Sequence, residues 1–254
     1  MTFESVWIPS RVPGIPGRHI RVFLPPGYDP HSTPGYPTLY LHDGQNVFAP
    51  GGPFGCWRAE QVAGELIGSG RTPPFIIIAI DNDGINRRHE YVPPGDAYAG
   101  AEPGRADAYA RFVLEDIMPL VNARWRTRPE PEATTVGGSS LGGVVSLYLA
   151  LETDRFGGAA SLSTAICWAP NYLTGLAGRS GVALRLYHDI GTAEYTSMAP
   201  ADYEHAPRLL HDRLTALLVN PEPNLRFVVA EAADHNEAAW HQRLPDILTW
   251  LMKP

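Results

Sequence analysis

Apolar residues along this chain gather in short runs, separated by amphipathic stretches or by turns rich in glycine and proline. Phe75–Ile80 is apolar without a break, the pattern of a strand covered on both faces. Thr38–His42, Gly158–Ser163, Ala183–Ile190 and Leu225–Ala230 read as further strands, and His19–Leu24 alternates as a half-exposed one that Pro25-Pro26-Gly27 ends. Helical spacing appears over Trp57–Ile67, Ala106–Asn122, His205–Leu218 and Glu237–Leu251. In the last of these, Trp240, Leu244, Ile247, Leu248 and Leu251 fall on one face. Pro119 should disturb the final turn of the second. Asp81–Gly104 reads as a long loop, of the kind that lines a site. Strands alternating with helices predict one α/β domain over residues 1–254, with a mainly parallel sheet flanked by helices. Function is then expected at the C-terminal ends of the strands.

One junction carries chemistry. The β-branched run Ala133-Thr134-Thr135-Val136-Gly137 leads into Gly138-Ser139-Ser140-Leu141-Gly142, and the apolar segment Gly143–Leu151 follows as a buried helix. Strand, Gly-x-Ser-x-Gly, helix is the form of a nucleophile elbow, a turn so tight that the residues two before and two after the serine must lack side chains. Ser140 satisfies the spacing. Ser139 does not, because Leu141 stands where its second glycine should be. The pentapeptide alone is weak evidence in a chain with 25 glycines; the flanking strand and helix make it specific.

A serine hydroxyl needs a base to take its proton. In a sheet of this kind the partners follow the nucleophile in the order acid, then histidine, on loops after later strands. His235 lies between the last strand and the last helix, whereas His205, His211 and His241 fall within helices and His42 precedes the elbow. Two carboxylates compete for the acid. Asp189 ends the strand before Gly191, and Glu194 lies in the loop beyond it. A loop residue reaches across the top of the sheet more easily, so Glu194 is preferred; Asp189, or a dyad without an acid, is the alternative. The backbone N–H groups of Leu141 and of Gln45, in the turn Asp43-Gly44-Gln45-Asn46, are the expected oxyanion donors. Trp57, Trp168 and Arg88 fall in loops near the expected rim and are candidates for holding substrate. Each has a plainer reading, as an apolar plug or, for Arg87 and Arg88, as an ion pair with Glu90.

Taken together, Leu41-His42-Asp43-Gly44-Gln45-Asn46-Val47-Phe48, Ile80-Asp81-Asn82, Arg88-His89-Glu90-Tyr91, Gly137–Gly143 and Asp234-His235-Asn236 with Trp240 resemble the esterase D and enterochelin-esterase-like branch of the α/β hydrolases. The resemblance runs from Leu24-Pro25-Pro26-Gly27-Tyr28 to the last helix. It implies an α/β-hydrolase fold and a serine esterase with Ser140 as nucleophile, His235 as base and Glu194 as acid, and Gln45 and Leu141 as oxyanion donors. That branch holds feruloyl and acetylxylan esterases, S-formylglutathione hydrolases, siderophore trilactone esterases and mycolyltransferases. Nothing in the motifs selects among them, so a carboxylic-ester hydrolase is expected, with an acyltransferase, a trilactone esterase and a non-catalytic scaffold as alternatives.

Composition narrows the partners. A net charge of −7 with no basic run argues against nucleic acid or an anionic membrane surface, leaving a small-molecule ester as the expected partner. No apolar stretch approaches the ~20 residues that span a bilayer, and the N-terminus shows no signal-peptide pattern, so a cytoplasmic location is expected. No cluster has metal-ligand spacing, and the expected chemistry calls for no metal or other cofactor. Cys56 and Cys167 are expected to be buried thiols, with a disulfide between their loops as the alternative.

Overall fold

A computed structural model describes residues 3–194 and 205–253. Eight strands form one sheet: β1 (Glu4–Ile8), β2 (Arg18–Phe23), β3 (Thr38–His42), β4 (Ile76–Ile80), β5 (Thr134–Ser139), β6 (Gly158–Leu162), β7 (Arg185–Gly191) and β8 (Leu225–Ala230). Their spatial order is β1-β2-β4-β3-β5-β6-β7-β8. β2 runs antiparallel to both β1 and β4, and every later pairing is parallel. The helices are α1 (Ala59–Gly68), α2 (Arg87–Tyr91), α3 (Ala106–Phe112), α4 (Met118–Arg124), α5 (Leu141–Glu152), α6 (Pro170–Gly175), α7 (Ala206–Leu217), the single turn α8 (Pro221–Asn224) and α9 (Glu237–Leu251).

The alternation of the strands divides the core in two. Ile76, Ile78 and Ile80 of β4 face one layer, with Tyr40 of β3 and the apolar sides of α3, α4, α5 and α7. Ile77 and Ala79 face the other, with Leu39, Leu41 and the apolar sides of α1 and α9. Period-two alternation thus feeds both layers from one strand, and β4 is unbroken in its apolarity because neither face meets water. The stripe Trp240, Leu244, Ile247, Leu248 and Leu251 is the buried side of α9.

Three details depart from the sequence reading. β1 was not expected: it is a largely exposed edge strand whose Trp7 is 55% accessible, so its hydrophobic alternation is faint. The segment 81–104 is not a plain loop but contains α2, too short for periodicity to show. The helix from Ala106 does continue past Asn122, but its disturbance lies ahead of Pro119 rather than in the last turn. Residues Val113–Ile117 form a π turn, in which the Met118 N–H donates to Val113 O five residues back. Pro119 has no N–H to give and its ring crowds the carbonyl one turn earlier, so the ladder shifts there by one residue.

Candidate active site

The elbow is built as the spacing requires. Ser140 sits between β5 and α5 at φ 57°, ψ −124°, a conformation costly for any residue with a side chain. The turn closes so tightly that a Cβ on Gly138 would stand 2.7 Å from the backbone of Gly142. The Ser140 N–H donates to Leu162 O at 2.9 Å, and the Ser140 carbonyl accepts from Gly143 and Val144 as α5 begins. Leu141 is the first residue of α5, so its N–H has no acceptor within the helix.

His235 and Glu194 meet over the sheet. His235 Nδ1 lies 2.9 Å from Glu194 Oε2, and Trp240 packs edge-on against the imidazole. Glu194 is buried, and its Oε1 accepts from the Gly191 N–H at 2.6 Å and from the Ser163 hydroxyl at 2.5 Å. Only glycine fits at 191, since a Cβ there would reach 2.2 Å from Ala233 O and 2.7 Å from Glu194 Oε1. Asp189 occupies a different place. It accepts from the Ser163 N–H at 2.7 Å and from the Tyr187 hydroxyl at 2.9 Å, and its Oδ2 lies 3.0 Å from Arg243 Nε. That last contact brings opposite charges together outside hydrogen-bonding geometry. Burial pushes the Asp189 carboxyl up to about 6, although Arg243 pulls the other way.

Ser140, His235, Trp57 and Arg88 all line one cavity of about 360 Å³, together with Ser139, Asp43, Asn46, Phe54, Asn82, Gly84, Arg87, Glu237 and Trp240. Gln45 occupies the short 3-10 turn that Asp43 opens in a left-handed conformation. Its side chain is committed to Asn82, donating to the carbonyl at 2.9 Å and accepting from the N–H at 3.0 Å. What Gln45 has left to offer is its backbone N–H, in the first turn of a helix. Trp57 is buried against Trp240, with ring centroids 6.0 Å apart.

Two expectations change. Trp168 is not among the residues lining this cavity; its indole lies against Tyr98 with centroids 4.3 Å apart. Arg88 stacks over the same Tyr98 ring at 4.8 Å, so these three residues form a layered group at one side of the mouth. Nor does Glu90 pair with Arg87 or Arg88. It is taken by Arg18 of β2 through two bonds of 2.8 and 2.9 Å, both side chains buried. Arg87 instead clasps Asp43 at 2.6 and 2.7 Å. Burial would raise the Asp43 carboxyl, but Arg87 and Asn82 together hold it below the usual carboxylate range. Cys56 and Cys167 are not joined by a disulfide; Cys167 is buried as expected, whereas Cys56, just before Trp57, is only partly so.

Several lining residues carry no motif of their own. Glu237 accepts from Asn46 Nδ2 at 2.9 Å, and burial pushes its carboxyl upward. Its place two residues after His235, at the start of α9, was the signal available in the sequence. Ser163, after β6, and Trp240 and Arg243, both on α9, gather around Glu194 from two distant segments and could be grouped only once the sheet had been assembled.

This sheet order, elbow and cavity define an α/β-hydrolase fold. Residues 17–251 match the model of the family described as "Putative esterase", and the chain belongs to that family. It is similar to the uncharacterized proteins YbbA and YjcH of Bacillus subtilis, at 28% identity over 155 and 176 residues. Those matches cover 58% and 68% of this chain, and 56% and 66% of the relatives' own lengths. Among solved structures, the enterobactin esterase FES from Shigella flexneri superposes with a TM-score of 0.73 at 21% identity, over 98% of this chain and 59% of that one. The BES protein from Bacillus cereus gives 0.72 at 19% identity, covering 100% and 95%. The siderophore hydrolase EstA from Aspergillus nidulans gives 0.69 at 20%, covering 98% and 94%. Among the described residues, no helix is long and apolar enough to cross a membrane.

Proposed function

We propose that the protein hydrolyses carboxylic esters of small molecules through a serine acyl-enzyme. The observation that carries this reading is the His235–Glu194 hydrogen bond on the wall of the cavity that also contains the strained Ser140. Ser140 Oγ attacks the ester carbonyl while His235 accepts its proton. Glu194 fixes the imidazole so that Nδ1 carries hydrogen and Nε2 is the basic nitrogen. The tetrahedral oxyanion forms against the N–H groups of Leu141 and Gln45. His235 then returns the proton to the departing alcohol, and water, activated by the same imidazole, releases the acid.

In this reading Trp57 and Arg88, which line the cavity, contact the substrate, the first as an apolar wall and the second as a donor. Two of the solved neighbours are an enterobactin esterase and a siderophore hydrolase; for this chain, trilactone esters are one substrate class to include in a screen. Acyl transfer would share the same acyl-enzyme and differ only in the second nucleophile. A fluorophosphonate should label Ser140 and no other residue, and Ser140→Ala should retain no more than the ~10³–10⁴-fold effect over water that binding and oxyanion donors alone supply. Labelling at Ser139, or full turnover by the alanine variant, would overturn the reading. Adding an acceptor alcohol and comparing new ester with free acid separates transfer from hydrolysis.

A further inference from the structure

Behind Glu194 lies a buried group of polar side chains that the reaction scheme above does not use. Ser163 follows β6 at φ 46°, in the left-handed region that a non-glycine residue enters only when held there. Four hydrogen bonds hold it. Its N–H donates to Asp189 at 2.7 Å, and its hydroxyl oxygen meets Trp240 Nε1 at 2.7 Å, an Arg243 terminal nitrogen at 2.8 Å and Glu194 Oε1 at 2.5 Å. An indole N–H and a guanidinium N–H can only donate, so both lone pairs of the Ser163 oxygen are occupied. The hydroxyl proton then has one direction left, toward Glu194.

The position of Arg243 gives this arrangement its consequence. Its terminal nitrogen stands 3.9 Å from Glu194 Oε1, just beyond a direct bond, with the Ser163 oxygen holding it. Two of its three nitrogens, Nε and Nη1, are buried without a hydrogen bond to a described group. Such a cation will take any carboxylate within reach. A guanidinium bonded directly to Glu194 would neutralise the charge on which an imidazolium at His235 depends.

We infer that Ser163 is a positioning residue that acts as a neutral spacer: it satisfies Arg243, keeps that cation off Glu194, and passes a single neutral hydrogen bond to the carboxylate. Asp189, where it is ionised, completes the device as the counter-charge of Arg243, so that the negative charge of Glu194 is left for His235. Among the described residues, the charged groups facing this assembly are Asp189 and Arg243 behind Glu194, and Glu237, Asp43, Arg87 and Arg88, which line the cavity with His235. The inference rests on Ser140, His235 and Glu194 acting as proposed above.

The test uses Ser163→Gly, which tolerates the positive φ and deletes only the side chain, with p-nitrophenyl acetate as the probe ester. The expected result is a fall in kcat of at least about tenfold and a shift of the acid limb of kcat/KM to lower pH by at least ~0.5 unit, because Arg243 closes on Glu194 and makes the imidazole a weaker base. NMR titration of His235 in the resting protein should move the same way. Adding Arg243→Gln to Ser163→Gly should return the limb toward its original position. Ser163→Cys, close in shape and a weaker hydrogen-bonding group, should shift the limb in the same direction by less, and it serves if the glycine variant does not fold. A merely structural serine would lower activity without moving either titration. If Ser140 is labelled by a fluorophosphonate in the wild type but the acid limb of these variants stays put or rises, the spacer is wrong and the reaction scheme stands. If Ser140 is not labelled, the scheme falls and the spacer with it.

Discussion

At Glu194 and Asp189 two buried carboxylates lie five residues apart and do different work. Glu194 gives one oxygen to His235 and the other to Gly191 and Ser163. Asp189 faces away, toward Arg243, Tyr187 and the Ser163 backbone. Glu194→Gln should therefore lower kcat/KM by at least about 10²-fold, since it removes the charge that stabilises the imidazolium and blurs the tautomer. Asp189→Asn, with no contact to His235 of its own, should cost clearly less, and circular dichroism must first show both variants folded. A crippled Asp189→Asn beside a normal Glu194→Gln would reverse the assignment. The sequence narrowed the acid to this pair and favoured Glu194 only for its longer reach, because both stand at the end of one strand. The choice depends on how the chain turns at Gly191, where a side chain would collide with Ala233 and with Glu194 itself. Ser140 and His235 were legible because the elbow and the strand-to-helix position constrain them locally. Ser163 was not, since its partners lie 26, 31, 77 and 80 residues away.

Short elements are harder to read than long ones, and α2 shows why one of them is nonetheless firm. It has five residues and no useful periodicity, yet it is tied to the sheet at two points. Arg87 holds Asp43 beside the cavity, and Glu90 is locked to Arg18 of β2 with both side chains 3% exposed. Arg18 also lies over the rings of Tyr109 and Phe112, which continue the contact into α3. Removing one member leaves the other charge buried and unpaired. Arg18→Met should thus lower the unfolding free energy by about 3–5 kcal/mol, whereas Arg18→Met combined with Glu90→Leu should recover most of that loss. Urea melts of the two single variants and the double variant check this; equal stabilities throughout would mean that the pair anchors nothing. Elements with a clear apolar run or stripe, in contrast, were visible whatever their length: β3, β8 and α9 keep the limits their hydrophobic patterns suggest. The π turn ahead of Pro119 shows where patterning stops. A proline announces a missing donor, but whether the helix ends, kinks or widens is settled by the packing of its buried face, here Phe112, Val113 and Ile117.

At the scale of the whole molecule, three buried groups among the described residues, His42, His188 and Asp189, make stability depend on pH between about 4 and 6.5, and their signs differ. Burial lowers His42 and His188 from an ordinary value of about 6.5 to about 3. Both are neutral in the folded protein, while their unfolded counterparts take up protons below about pH 6.5. Their stabilisation is complete above that value and is lost as the pH falls from it toward about 3. Asp189 acts in reverse. Its folded value of about 6 lies above the unfolded carboxylate value of about 3.9, so its contribution is complete below about pH 4 and is lost as the pH rises through about 6. Between about pH 4 and 6 the unfolded chain then binds two extra protons at the histidines and lacks one at Asp189, a net of one. Through these three groups stability should rise with pH in that window by the worth of about one proton, opposed in part by Glu237, whose carboxyl burial also pushes upward, and more steeply from pH 6 to 6.5. The total, on the order of a few kcal/mol, is a large share of the ~5–15 kcal/mol that holds a typical domain together. Chemical denaturation at half-unit steps from pH 4 to 7.5 measures the slope, and a flat profile would contradict it. Asp189→Asn separates the opposing groups: with the acid gone, the slope between pH 4 and 6 should roughly double, whatever constant penalty Arg243 suffers from losing its counter-charge. An unchanged slope in that variant would mean that Asp189 is already ionised throughout, with Arg243 outweighing the cost of burial.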